Sequence, residues 1–163
     1  MKTLFLDIDG VLNTGGMQRK NVPQDRFGDA FNPDAIENLS KVIEETGAEI
    51  VVSSSWKFFG LDKMQEMWKE RNLPGQVIGI TPNTISDEMR LNANLDDMDS
   101  LCFKGLEIKE WLSKHGKLID KYAILDDENS FLPEQQPHFV QTNPKCGITK
   151  EDAKKVIEIL NRG

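Results

Sequence analysis

A chain of 163 residues has the length of one ordinary domain, so one hydrophobic core and a single domain over residues 1–163 are expected. Apolar residues at 38% and charged residues at 29% exclude a collagen-like or low-complexity chain, and a net charge of −7 disfavours stable binding of duplex nucleic acid, which depends on a cationic surface. The apolar runs fall far short of the ~20 residues that span a bilayer, and the N-terminal segment turns acidic at Asp7 before a signal-peptide hydrophobic region could form, so a cytoplasmic chain with no membrane partner is expected.

In chain order, the first candidate strand is Lys2–Leu6, which runs directly into Asp7-Ile8-Asp9-Gly10-Val11-Leu12. Residues 13–31 are polar and contain glycine, and they read as a loop. Asn32 caps a predicted helix with Pro33 at its first position, Ile36, Leu39, Val42 and Ile43 on its inner stripe, and Gly47 at its end. A strand over Glu49–Ser53 leads into Ser54-Ser55-Trp56-Lys57. A helix over Leu61–Arg71 turns Leu61, Met64, Met67 and Trp68 to one side, and a strand follows at Gln76–Ile80. Residues 81–103 have weak periodicity. A helix from about Leu106 to His115, with Ile108, Trp111 and Leu112 inward, follows Lys104 and precedes Gly116. The strand Tyr122–Leu125 ends in Asp126-Asp127-Glu128, and His138–Gln141 is the last strand. Thr149 and Asp152 form a capping-box pattern for a final helix that buries Ala153, Val156, Ile157 and Leu160.

Short apolar strands alternating with amphipathic helices are the pattern of a parallel α/β sheet covered on both faces. The loops 13–31 and 81–103 both follow a candidate strand and emerge at the carboxyl edge of the sheet, where open α/β sheets bind ligands. Cys102, Cys146, His115 and His138 are isolated, with no CxxC spacing, so a disulfide framework or a zinc site is not expected. Metal chemistry in this chain must come from carboxylates.

Those carboxylates fall at strand ends. Asp7 and Asp9 end the first strand and Asp126 and Asp127 the fourth, while serines end the second and Lys104 opens the helix before the fourth. If the first strand is central in a doubly wound sheet, all these groups meet at one edge. Like charges at that range repel unless a cation lies among them, and an oxygen-only acidic site suits Mg²⁺. A carboxylate nucleophile, a metal and fixed donors are what phosphoryl transfer requires.

The segments LFLDIDGVL, IVVSSSW, KG and YAILDD together resemble the four motifs of the haloacid dehalogenase (HAD) superfamily of aspartate-based phosphohydrolases, in order and over residues 4–127. More narrowly, SSSWK, KGLEIKEWL and VQTNPKCGIT resemble small bacterial members grouped with the phosphatase domains of RNA-repair proteins. The resemblance implies a three-layer Rossmann-like fold with a five-stranded parallel sheet in the order 3-2-1-4-5 and helices on both faces. It also implies a Mg²⁺-dependent phosphomonoesterase acting through an aspartyl-phosphate. Asp7 would be the nucleophile, and Asp9 would be general acid and then base. Ser54 would contact the phosphoryl group, since related sequences keep the residue two before Trp (with Ser53 as the alternative), and Lys104 would neutralise the phosphoryl oxygens. Mg²⁺ would be held by Asp7, the Asp9 carbonyl and Asp127, with Asp126 supporting Lys104 or the metal's waters. Neither interval that holds a cap in other members leaves room for a full cap domain. Lys57 stands where related sequences often carry Arg and is expected at the substrate. Arg19, Lys20, Arg26 and Arg90 would complete a basic patch for a nucleotide or nucleic-acid end.

Other readings use the same residues. A small-metabolite phosphatase or phosphotransferase needs no different machinery. A phosphate-binding or phosphorylatable switch resembling a receiver domain would carry its acceptor Asp after the third strand, where this chain has Ile80-Thr81-Pro82.

Overall fold

The structure is a computed structural model that describes residues 1–15, 21–83, 103–116 and 121–162. Its centre is a five-stranded parallel sheet built from β1 (Lys2–Leu6), β4 (Glu49–Val52), β5 (Val77–Ile80), β6 (Lys121–Asp126) and β7 (Phe139–Gln141). The spatial order is β5-β4-β1-β6-β7, the doubly wound order expected from the sequence, with β1 in the middle. Two strands not anticipated in the first loop, β2 (Gln24–Asp25) and β3 (Gly28–Asp29), form a short antiparallel hairpin. Among the described residues this hairpin is all that is added between β1 and the first helix.

Alternation along the strands assigns the two faces. Leu4, Leu6, Ile50, Val52, Ala123 and Leu125 share one buried cluster with residues of α1 (Pro33–Thr46), α2 (Leu61–Glu70) and α4 (Lys150–Leu160). Phe5, Val51 and Ile124 face the other way, into a smaller cluster with Ile108 and Trp111 of α3 (Phe103–His115). Burying a side chain such as Leu6 or Phe5 is worth roughly 1.5–3 kcal/mol, so β1, apolar on both faces, anchors both layers. That rigidity is passed to whatever leaves its carboxyl end.

The caps behave as their residue types dictate. Asn32 accepts the Asp34 N–H at 3.0 Å with Pro33 opening α1, and Thr149 and Asp152 close the capping box of α4. The third helix begins at Phe103, three residues before its apolar period, which puts Lys104 in its first turn. Arg71 ties the hairpin to the end of α2 by binding Asp25 at 2.7 Å and the Gly28 carbonyl at 3.1 Å. No helix of the described residues is long and apolar enough to cross a membrane.

Candidate active site

Register decides what meets at the sheet edge. Leu6 pairs with Val52 on one side and Leu125 on the other, so the next positions, Asp7, Ser53 and Asp126, lie level across three strands. The backbone continues that alignment: the Asp7 N–H donates to the Leu125 carbonyl at 3.0 Å and the Ser53 N–H to the Leu6 carbonyl at 2.9 Å. Asp7, Asp126 and Asp127 each bring a carboxylate oxygen within 4.8 Å of the others.

Lys104 enters from α3. Its Nζ lies 2.7 Å from Asp126 Oδ2 and 3.4 Å from Asp7 Oδ2, with only 18% of the side chain exposed. Gly105 makes that approach possible, because a Cβ there would sit 2.6 Å from Gln135 Oε1 and 3.0 Å from the Leu132 nitrogen. Gly10 has the corresponding role at the loop after β1. It has φ +81°, and a Cβ on it would lie 2.5 Å from the Asp127 carboxyl group. The DxDG loop therefore needs glycine twice over, for its left-handed backbone and for the space that Asp127 occupies. The turn after β7 backs this loop, with Thr142 Oγ1 donating to the Gly10 carbonyl at 2.8 Å and the Ile148 N–H to the Val11 carbonyl at 3.1 Å.

The electrostatics follow from this crowding. Burial first, then the Asp126 carboxylate, push the Asp7 carboxyl up to about 8, against the opposing pull of Lys104 and the Ile8 N–H. Burial and then Asp126 also raise Asp127. Burial alone would lower the Lys104 ammonium, but Asp126 and Asp7 outweigh it and the group is raised. One ammonium does not balance three converging carboxyl groups in a partly desolvated place, so ionising all three is opposed. A hard divalent cation would offset that opposition, and an oxygen-only donor set of this kind fits Mg²⁺.

Asp9 is exposed and clear of that triad. Asn13 Nδ2 donates to its Oδ1 at 3.0 Å and the Trp56 indole N–H to its Oδ2 at 3.1 Å. Two donors on two oxygens fix the orientation of the exposed carboxyl group.

The two serines are not equivalent. Ser54 caps the 3₁₀ turn Ser55–Phe59, its Oγ accepting the Trp56 N–H at 3.2 Å. Ser53 Oγ is buried with no hydrogen-bond partner among the described residues. Both line a cavity of about 50 Å³ together with Lys104.

Of the basic patch expected from the sequence, Lys57 and Arg26 fall among the described residues, and both are paired with acids. Lys57 is buried, and its ammonium is engaged by Glu107, by Thr81 Oγ1 at 3.3 Å and by the Pro82 carbonyl at 3.4 Å. Arg26 binds Glu66 and Glu70 of α2. Arg19, Lys20 and Arg90, like Cys102 and most of loop 81–103, lie outside the described residues. Lys57 is thus ion-paired with Glu107 in the wall of the same small cavity that Ser53, Ser54 and Lys104 line. Lys57→Ala leaves the Glu107 carboxylate buried and is expected to cost about 3–5 kcal/mol in denaturant unfolding. Unchanged stability with a raised KM would return Lys57 to the substrate.

Three functional neighbours were not picked out from the sequence. Trp56 and Asn13 hold Asp9, and Glu107 holds Lys57. Glu107 carried a signal: it lies beside Ile108 and one turn before Trp111, on the inward stripe of α3, where a lone acid needs a partner.

Residues 3–153 match the family described as the HAD domain in Swiss Army Knife RNA repair proteins. The chain belongs to that family. This HAD domain is also similar to a solved HAD superfamily (subfamily III A) hydrolase from Legionella pneumophila, with 11% identity, 99% of this chain and 85% of that chain covered, and a TM-score of 0.40, too distant a likeness to add to the assignment. It matches no curated protein. Family membership puts the HAD domain among hydrolases and agrees with the placement of DxDG, the serines, Lys104 and the paired acids at one sheet edge.

Proposed function

We propose that the protein is a Mg²⁺-dependent phosphomonoesterase that works through an aspartyl-phosphate on Asp7. The observation that carries this reading is the meeting of Lys104 with Asp7 and Asp126 at the end of the central strand, beside Asp127. That arrangement places a nucleophile and a fixed cation beside carboxylates that lie within 4.8 Å of one another and could hold a metal, as phosphoryl transfer requires.

In this mechanism Asp7 attacks phosphorus while the ester oxygen leaves. The Ile8 N–H, 2.8 Å from Asp7 Oδ1, and Lys104 hold the nucleophile in line. Asp9 gives a proton to the departing oxygen, then takes one from the water that opens the acyl phosphate and releases phosphate. Lys104 balances charge on the phosphoryl oxygens. Ser53 replaces Ser54 as the hydroxyl donor, because its Oγ is buried, lines the small cavity with Lys104 and has its bonding capacity unused. Mg²⁺, held by Asp7, Asp127 and the Asp9 carbonyl, would supply charge neutralisation for the attack of one anion on another. The substrate is a phosphomonoester of a nucleotide or nucleic-acid end, and the place of action is the cytoplasm.

The test is phosphate release from a panel of nucleotides, end-phosphorylated oligonucleotides and sugar phosphates, with and without metal. Activity is expected with Mg²⁺ and not in EDTA. The metal should also raise the melting temperature of EDTA-treated protein by roughly 5 °C, since it relieves repulsion among Asp7, Asp126 and Asp127. Undiminished turnover in EDTA overturns the metal assignment. An inert response to every ester overturns the phosphatase reading.

A further inference from the structure

Beside Asp9 the described residues leave a cavity of about 210 Å³ lined by Arg26, Phe27, Trp56, Phe59, Lys63 and Met64. Its position is set by Trp56, which forms part of the wall and also donates its indole N–H to Asp9 Oδ2. The cavity is thus linked through Trp56 to the residue that serves the leaving group. The small cavity with Ser53, Ser54 and Lys104 lies on the phosphoryl side, and the turn Ser55–Phe59 separates the two.

Three aromatic rings contribute to the wall. Phe59 is 66% exposed, an unusual position for a phenylalanine, and its ring meets that of Trp56 at a centroid distance of 6.1 Å and 64°. The Arg26 guanidinium lies 4.4 Å from the Phe27 ring centroid. An exposed aromatic corner of this kind offers faces for a flat ring to stack on.

Charge narrows the occupant further. Arg26 is held by Glu66 and Glu70, and Lys63 by Glu66, so the two cations of the wall are matched by two carboxylates. A wall so balanced does not build a second phosphate site or a track for a polyanion. It suits an uncharged ring with polar edges. The volume is below the ~300–1,000 Å³ of pockets for drug-sized ligands and takes one ring system.

We propose that this cavity binds the base of a nucleoside monophosphate unit, stacked against Phe59 and Trp56, whose phosphate lies at Asp7. This rests on the phosphatase reading above and assigns the place where the nucleobase, one sugar away from phosphorus, is recognised. A free mononucleotide and a chain-terminal nucleotide share that chemistry.

Binding to the Asp7→Asn protein, measured by calorimetry in Mg²⁺, separates the base from turnover. AMP is expected to bind about tenfold more tightly than ribose 5-phosphate, the difference being one stacked base. Phe59→Ala in the same background should remove most of that difference while leaving ribose 5-phosphate binding unchanged, and Phe59→Trp should keep it. Phe59 is exposed, so the fold does not depend on it. A 5′-phosphorylated trinucleotide that binds as tightly as AMP supports the chain-terminal source, and one that binds more weakly supports the free nucleotide. Equal affinities for AMP and ribose 5-phosphate, or an equal loss for both on Phe59→Ala, overturn the proposal. Tighter binding of phenyl phosphate than of AMP overturns it in favour of an aryl ester. Failure of the underlying reading shows separately, as absence of phosphate release by the unmodified protein from any ester whatever the binding preference.

Discussion

Asp7→Asn is expected to lower kcat on the order of 10⁴-fold or more, because an amide neither attacks phosphorus nor leaves as a carboxylate. The protein should remain folded. Asp7 is buried beside Asp126 and Asp127, and its burial, then the Asp126 carboxylate, raise its carboxyl group to about 8. Replacing it with a neutral side chain of the same shape removes that repulsion, so the melting temperature of the metal-free variant should equal or exceed that of the parent. Rapid acid quenching of the unmodified enzyme with labelled substrate should trap phosphate on the protein as an acyl phosphate, and the variant should trap none. Full turnover by Asp7→Asn, or label trapped on it in equal amount, would remove Asp7 from the nucleophile's role.

Asp9→Asn is expected to lose about 10²–10⁴-fold on alkyl phosphates, the usual contribution of general acid catalysis. p-Nitrophenyl phosphate, whose leaving group departs without a proton, should lose much less. The substitution is structurally mild, since the new side chain keeps an oxygen to accept the Trp56 N–H, and the Asn13 amide can turn to present its own oxygen. A difference between the two esters is therefore chemical and not a consequence of a displaced loop. Equal losses on both esters would show that Asp9 serves binding or positioning instead of proton transfer.

What was legible in the sequence was what local physics controls. The five apolar runs became the five strands because parallel strands buried on both faces tolerate almost nothing else, and β1 matched its expected bounds to the residue. Asn32, Gly47 and Thr149 bounded helices for reasons contained in their own side chains or lack of one. The acids appeared at strand ends in sequence and remained there in space, because a central strand carries its C-terminal residues to the sheet edge whatever the loops do. Lys104 followed, in the first turn of a helix whose apolar stripe faces the sheet.

Partner choice was not legible, because it depends on distances between segments far apart in the chain. Ser53 and Ser54 are the same residue type, and only the register opposite Leu6 and the turn at Ser55 separate a buried unpaired hydroxyl from a capping one. Lys57 and Arg26 read as free cations for a phosphate until Glu107 arrives from α3 and Glu66 and Glu70 from α2. Trp56 looks like any core aromatic in the sequence, yet the fold uses its one polar atom on Asp9, 47 residues away, and leaves its ring beside an open cavity. Composition and periodicity decided which residues go to the sheet edge. The tertiary structure alone decided which charges are spent on one another there, since burial and pairing are properties of neighbours that the chain acquires only when it folds.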